Sequence, residues 1–474
     1  MNFKAVTPAI IEALQKIVAK EHVFIDAESL KKYGHDETED LSFPPAVVVK
    51  PRTPEEIAAI LQLCNREHIP LTPRGAGTGL SGGALPVYGG IVLSIERFNK
   101  ILHIDERNLQ ATVEPGVINQ VFQEAVMEKG LFYPPDPASK GSCFLGGNVA
   151  ERSGGPKAVK YGTTRDYVLN LEVVLPTGEI IWTGANVLKN STGYNLTQLM
   201  TGSEGTLGII TKIVFRLIPL PKHNLLMLVP FFSAIKACEA VSAIFRAGIT
   251  PSALEFLERD AIDWALKYLD TSAISQQLLA VSQKQEVQAH LLIEVDGNDT
   301  DVLMKECETI MGVMQQFECD EILFADTAEQ KNALWRMRRG VAEAVKSRSV
   351  YKEEDTVVPR AELPVLLAGV KEIGKRYGFK SVCYGHAGDG NLHVNIIKGD
   401  MSDEQWNNTL PSGIREIFQL CVKLGGTLSG EHGIGWVQKE YMDIAFTEKS
   451  RSLQKQIKLV FDPNGILNPG KIWT

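Results

Sequence analysis

The sequence predicts an α+β protein of more than one domain, and three observations carry that expectation. Its 474 residues exceed what one hydrophobic core organises comfortably. Short strand signals recur with helices between them, without the strict alternation of a doubly wound sheet. Glycine is unevenly placed: of 41 glycines, 21 lie between Gly75 and Gly208 and ten between Gly385 and Gly435. Those two windows are where the backbone is expected to approach a ligand closely.

Composition narrows the class before any element is placed. With 44% hydrophobic and 22% charged residues the chain is ordinary globular material, not a disordered one. A net charge of -8 is the wrong sign for a phosphate-backbone binder, so nucleic acid is excluded as a partner. The seven cysteines are scattered without a C-x-x-C pair, which supports neither a disulfide framework nor an iron–sulfur cluster. A reducing, cytoplasmic setting is therefore expected. The N-terminus lacks the pattern of a signal peptide, and the longest apolar run, 225–232, contains Pro230 and is far shorter than the ~20 residues of a transmembrane helix. Any membrane association is expected to come through a partner.

Taken in order, residues 1–44 form a helical lead-in, with Ile10, Ile11, Leu14 and Ile17 on one face of its first helix. Residues 45–221 form the first domain. Ala46 to Val49 reads as a buried strand, and Thr53-Pro54-Glu55-Glu56 opens a helix with Ile57, Ile60, Leu61 and Cys64 on one stripe. Strands follow at 91–95, 110–113, 171–175, 180–183 and 209–217, with helices at 117–128 and 196–200. Pro219 and Pro221 stiffen a boundary. Residues 222–424 form a second domain with longer helices at 233–247, 300–317 and 328–345, and 425–474 form a C-terminal segment.

The first glycine window opens with Pro73, Arg74, Gly75, Ala76, Gly77, Thr78, Gly79, Leu80 and Ser81. It contains G-x-G-x-x-G at Gly77, Gly79 and Gly82, but a turn and a strand follow where a dinucleotide fingerprint requires a helix. What remains is an anion cradle built from backbone N–H groups, or else a flexible surface loop. Matching features follow: the stiff Tyr133-Pro134-Pro135-Asp136-Pro137, then Gly141-Ser142, Gly146-Gly147-Asn148, Ser153-Gly154 and Gly202-Ser203-Glu204-Gly205-Thr206-Leu207-Gly208-Ile209-Ile210.

On these motifs, from about Pro45 to Trp473, the chain resembles FAD-linked oxidases of the vanillyl-alcohol oxidase type, within them the D-2-hydroxyacid dehydrogenases. The resemblance implies a two-part flavin-binding domain and an α+β substrate, or cap, domain with an antiparallel sheet. It implies that Pro73 to Ser81 wraps the FAD pyrophosphate. Pro135, Asp136, Gly141, Ser142, Gly146, Asn148, Ser153 and Gly154 would line the cofactor, Gly205 and Ile210 its adenine side, and Asn468 its ring. Between His103 and His223 there is no histidine, and Cys143 alone could attach a flavin, so non-covalent FAD is expected.

The second window holds His386-Ala387-Gly388-Asp389-Gly390-Asn391-Leu392-His393. Asp-Gly between β-like runs predicts a two-residue hairpin turn in which His386 faces His393 and Tyr384 faces Asn395. Two facing imidazoles can chelate one divalent ion, zinc foremost, with manganese or iron open; taken singly, each histidine is as well read as core or surface filler. Glycines on both sides of Glu431-His432 let those side chains diverge, as a third ligand and a substrate-directed group, or as a solvated charge pair. The resemblance implies His386, His393 and Glu431 as metal ligands and His432 as catalytic base. It also implies Asn395 near the substrate, with Arg338 and Lys352 on its carboxylate, while Arg336 and Arg339 read as solvated or paired.

The implied reaction is oxidation of a D-2-hydroxy acid to the 2-oxo acid. Ala342 stands where 2-hydroxyglutarate dehydrogenases carry threonine, which favours D-lactate or glycolate. Electrons would leave to a quinone, an electron-transfer flavoprotein, an iron–sulfur partner subunit or oxygen, and a homodimer is compatible. Two rival classes are a flavin-free metallohydrolase, which leaves the first window unexplained, and a non-catalytic electron-transfer subunit, which would not need the histidines.

Overall fold

The computed structural model describes residues 3–38, 41–269 and 284–473. The chain divides into two compact units: Met1–Gly154 with Thr163–Leu220 and Glu431–Thr474, and Gly155–Gly162 with Pro221–Gly430.

In the first unit β1 (Val23–Phe24), β2 (Val47–Val49), β3 (Leu71–Arg74) and β4 (Ile91–Ser94) make a sheet in the order β1-β2-β4-β3. β2 and β3 run parallel to β4, and the three valines of β2 are fully buried, as a strand covered on both faces requires. The helix Pro54–Glu67 crosses between β2 and β3; the Thr53 hydroxyl accepts from the Glu56 amide at 3.2 Å, and His68 ends it in the left-handed region. This corner is thus a local βαβ unit. Sequence reading gives the strand, the helix and the return to extended structure at 70–73, but not the parallel pairing of β3 with β4, which leaves no local trace. The lead-in, too, contributes β1 to this sheet.

A second, antiparallel sheet joins β5 (Ile101–Asp105), β6 (Gln110–Val113), β8 (Val168–Val174), β9 (Ile180–Trp182) and β10 (Ile209–Arg216) in the order β5-β6-β10-β8-β9. β7 (Leu131–Phe132) pairs with β11 (Ile218–Pro219). After the helix Glu448–Phe461 the chain returns to β3: the Leu71 amide donates to the Ile466 carbonyl at 2.8 Å, and the Asn468 amide to the Leu71 carbonyl at 2.7 Å.

The second unit is built on a seven-stranded antiparallel sheet: β12 (His223–Phe231), β13 (Ala253–Glu258), β14 (Ala289–Gly297), β15 (Leu323–Ala325), β16 (Tyr351–Val357), β17 (Lys380–Gly385) and β18 (Asn391–Ile397). The order is β15-β12-β14-β13-β17-β18-β16. One face packs Leu226, Leu228, Leu257, Leu292, Val382 and Tyr384 against Ala261, Ile262, Ala265, Leu334, Met337, Val341 and Ala344 from the helices Arg259–Tyr268, Ala328–Arg339 and Val341–Lys346. The expected single helix 328–345 is broken at Gly340, which separates the last two of these. The helices Ala234–Arg246 and Leu363–Tyr377 also pack on the sheet, Lys371 of the latter bonding Glu258 at 2.7 Å and the Ser381 carbonyl at 2.9 Å. The excursion Gly155–Gly162 is pinned to this unit: Lys160 Nζ lies 2.6 Å from Asp296 Oδ1 and the Tyr161 hydroxyl donates to the same oxygen at 2.8 Å.

Candidate functional site

The first unit gathers the glycine loops. A Cβ on Gly75 would lie 3.8 Å from Gly147 Cα, so the loop after β3 runs against the start of the helix Leu145–Glu151. A Cβ on Gly146 would come within 2.6 Å of Pro115, and one on Gly205, at φ +65°, within 2.7 Å of Pro73. At Gly79 and Gly147, by contrast, a Cβ would meet nothing within 4 Å, and the buried Ser81 hydroxyl has no hydrogen-bond partner among the described residues. Close-packed backbone beneath, open space above and an unsatisfied buried hydroxyl fit a cradle for a phosphate-bearing cofactor. Asn119 and Gln123 pin the Pro135 carbonyl at 3.1 and 3.0 Å, and Asn119 accepts from Asn148 at 3.2 Å. Sequence reading missed both residues, since they sit on an ordinary helix, Asn119–Met127. Asp136 is buried beside this segment, Gly141 and Ser142 are exposed in a turn, and Ile210 lies on β10.

Two expected cofactor contacts serve mainly as braces. Arg74 donates to the His35 carbonyl at 2.8 Å and lies over the Tyr33 ring. Asn468 donates to the Gly83 and Glu204 carbonyls at 3.0 and 2.8 Å and accepts from Lys471. The Glu204 carboxylate, another residue that sequence reading left without a role, takes the amides of Ile434 and Gly435 at 2.8 and 2.7 Å. It thereby fixes the loop bearing Glu431 and His432, while Glu431 Oε2 accepts from the Gly154 amide at 3.0 Å. Burial raises the Glu204 carboxyl and lowers the Lys471 ammonium to about 7, though Asp36 and Glu204 oppose the latter shift.

The second unit assembles its own constellation. β17 and β18 pair Tyr384 with His393 and Val382 with Asn395, two residues out of the expected register. The turn is a 3₁₀ segment, Ala387–Asp389, closed by left-handed Gly390, in place of a two-residue Asp-Gly turn, so His386 lies just beyond β17. The imidazoles nevertheless meet, with ring centroids 5.4 Å apart in an edge-to-face arrangement and a ring nitrogen of each within 4.8 Å of the other.

Each ring has its Nδ1 beside a carboxylate. His386 Nδ1 is 2.9 Å from both oxygens of Glu255, which is fully buried on β13; His393 Nδ1 is 3.3 Å from Glu353 and 3.7 Å from Asp355 on β16. The hydrogen bonds to Glu255 fix the His386 ring with Nε2 turned away from that carboxylate, and two imidazoles with ring nitrogens within 4.8 Å of each other are a donor pair whose residue type fits a divalent ion. Arg338 Nε donates to Glu255 at 2.7 Å, its Nη2 lies 2.6 Å from the same carboxylate, and its guanidinium stacks over Tyr384. Burial alone would raise the Glu255 carboxyl, but His386 and Arg338 outweigh it and hold it below its ordinary value. Asn395 is fully buried on the same face, its amide without a hydrogen-bond partner among the described residues.

Lys352 is a correction. β16 pairs Lys352 with Ile396 and Glu353 with Asn395, so strand alternation puts Lys352 on the face away from His393 and Asn395. Its ammonium lies 5.2 Å from the Trp406 ring centroid, and the residue in the expected place is Glu353. Arg336 is exposed and Arg339 lies over Trp335, whereas Arg338 is buried. His386, His393, Asn395 and Arg338 thus come together in the second unit, and Glu431 and His432 belong to the first.

The sequence matches two family models: the FAD binding domain over residues 45–184 and the C-terminal domain of FAD linked oxidases over 220–472. The chain belongs to the FAD-linked oxidase family and is an oxidoreductase. It is 37% identical to the D-lactate dehydrogenase of Anaerostipes hadrus over 99% of this chain and 98% of that one. It is 39% identical to the glycolate oxidase subunit GlcD of Bacillus subtilis, covering 93% and 92%. It is 33% identical to the D-2-hydroxyglutarate dehydrogenase of Stutzerimonas stutzeri, covering 98% and 99%. Among solved structures p-cresol methylhydroxylase matches with a TM-score of 0.81 at 20% identity over 99% of this chain and 98% of the other, which shows the vanillyl-alcohol oxidase type of fold. The seven cysteines are free thiols, and no helix among the described residues is long and apolar enough to cross a membrane.

Proposed function

We propose that this oxidoreductase converts a small D-2-hydroxy acid, D-lactate or glycolate foremost, to the 2-oxo acid, using non-covalent FAD and a divalent ion. The carrying observation is the second unit's face: two imidazoles, each backed by a carboxylate, beside a buried arginine and an unsatisfied asparagine. The chain belongs to a flavin-dependent family and carries glycine loops that fit the cofactor, which argues against a flavin-free hydrolase. Cys143, the one candidate for covalent flavin attachment, is buried with its thiol pKa raised by that burial, a poor nucleophile.

In this reading His386, His393 and Glu431 hold the ion, zinc foremost. Glu431 is bonded to Gly430, whose amide donates to Asp355 at 2.8 Å, and Asp355 pairs with His393 across the strands. When bound, FAD supplies the acceptor for hydride from the substrate α-carbon, and the ion makes the α-hydroxyl more acidic. Arg338 holds the substrate carboxylate, Asn395 supplies a donor and an acceptor to fix orientation, and His432 takes the hydroxyl proton on a ring nitrogen. Glu353 sits on this face and would repel a second carboxylate, which together with Ala342 favours a monocarboxylate over 2-hydroxyglutarate. Reoxidation by a protein partner or a quinone fits a relative that is named as a subunit.

The test is anaerobic bleaching of the bound flavin by D- and L-lactate, glycolate, D-malate and D-2-hydroxyglutarate. Fast bleaching by D-lactate or glycolate is expected, and bleaching by none of the five would reject the reading.

A further inference from the structure

We propose that Glu255 is a positioning residue that couples metal binding to substrate binding, because one buried carboxylate sets both the tautomer of His386 and the orientation of Arg338. The inference rests on the reading of His386 as a metal ligand and Arg338 as the carboxylate contact.

Glu255 and His386 lie 131 residues apart in the chain and meet because β13 runs beside β17: Phe256 pairs with Gly385, the last residue of β17, and the neighbouring Glu255 and His386 side chains meet just beyond that pair. An ionised carboxylate can only accept hydrogen bonds, so with both Glu255 oxygens 2.9 Å from Nδ1, that nitrogen carries the proton and Nε2 presents its lone pair. The same carboxylate accepts from Arg338 Nε at 2.7 Å and lies 2.6 Å from Nη2 as an ion pair. That holds the planar guanidinium over Tyr384. Glu255 is fully buried and Arg338 is 6% exposed, so solvent does not replace either contact. The histidine and the arginine are therefore both set by one anion, and loss of that anion releases both.

Glu255→Gln preserves shape but removes the negative charge and turns one acceptor oxygen into an NH2 donor, which weakens the charge-assisted contacts to both His386 and Arg338. In the full-length flavoprotein the substitution is expected to weaken Zn²⁺ binding, read by chelator competition and metal content, by about 10–100-fold. It is also expected to raise KM for D-lactate or glycolate by a similar factor. Arg338→Lys should raise KM while leaving Zn²⁺ affinity within about twofold, which separates the two arms. An independent measurement on the unmodified protein is the ¹⁵N NMR tautomer of His386 with Zn²⁺ bound, expected to show a protonated Nδ1.

A protonated Nε2, or a folded Glu255→Gln protein with unchanged Zn²⁺ affinity and KM, would overturn the positioning role and leave the functional reading standing. If the unmodified protein bleaches with a 2-hydroxy acid yet takes up no Zn²⁺, the metal reading itself fails, and the role of Glu255 falls with it.

Discussion

The two units build binding surfaces by opposite means. In the first, the surface is backbone: glycines remove side chains so that loops can touch each other and leave room above. In the second it is side chain, since imidazoles, carboxylates and a guanidinium from β13, β16, β17, β18 and one helix converge on a single sheet face. A backbone surface is specified by contiguous sequence and fails when a Cβ is added. A side-chain surface is specified by strand register and fails when a charge loses its partner.

The largest expected effect comes from the proposed base. His432→Ala should lower the rate of flavin reduction by roughly 10²–10⁴-fold while the protein still binds FAD. Stopped-flow reduction checks this, and near-normal reduction would remove His432 from the chemistry.

Two glycine substitutions then separate the surfaces. Gly390 has φ +86°, and a Cβ there would sit 1.9 Å from the Val358 carbonyl; Gly205 has φ +65° with Pro73 at 2.7 Å. Gly390→Ala should distort the turn between the histidines, at a cost of roughly 1–3 kcal/mol in stability, and reduce Zn²⁺ content more than flavin content. Gly205→Ala should do the reverse. Metal and flavin stoichiometries measured on both proteins would break the comparison if they fell together.

How much of this was legible in sequence follows from the same contrast. The cradle loops could be read because their glycines are neighbours in the chain. The two histidines could be seen, but their register was read two residues off, because a 3₁₀ turn with one left-handed glycine replaces the expected two-residue turn. Glu255 could not be found, since nothing local distinguishes a strand glutamate that faces a histidine 131 residues away. Lys352 came from the resemblance alone, and the face it occupies is set by its pairing with Ile396, which no local signal gives. The boundaries of the helix Pro54–Glu67 were clear from Thr53, Pro54 and the apolar stripe, whereas the parallel pairing of β3 with β4 is a non-local fact.

A smaller effect tests the substrate size. Glu353→Ala removes a carboxylate from the histidine face and should raise the kcat/KM of D-malate relative to D-lactate by about tenfold, or ~1.4 kcal/mol. An unchanged ratio would place Glu353 outside the substrate's reach.

The smallest expected effect belongs to the first unit's buried lysine. The folded Lys471 titrates at about 7, below its ordinary 10.5, so between those values the unfolded chain binds a proton that the folded chain does not. This group's contribution to stability therefore rises with pH across that window and is least favourable below it. Lys471→Met should remove that rise, visible as a flatter dependence of Tm on pH between 7 and 9; an unchanged profile would mean that another group titrates there.

The central claim, that the second unit's histidine face and the flavin serve one oxidation, is tested most directly by titrating Zn²⁺ into metal-stripped flavoprotein and following anaerobic flavin reduction by D-lactate or glycolate. The account predicts negligible reduction without metal and a rate that rises in proportion to bound Zn²⁺ up to one ion per chain. Full-rate reduction in the stripped protein, indifferent to added metal, would contradict it.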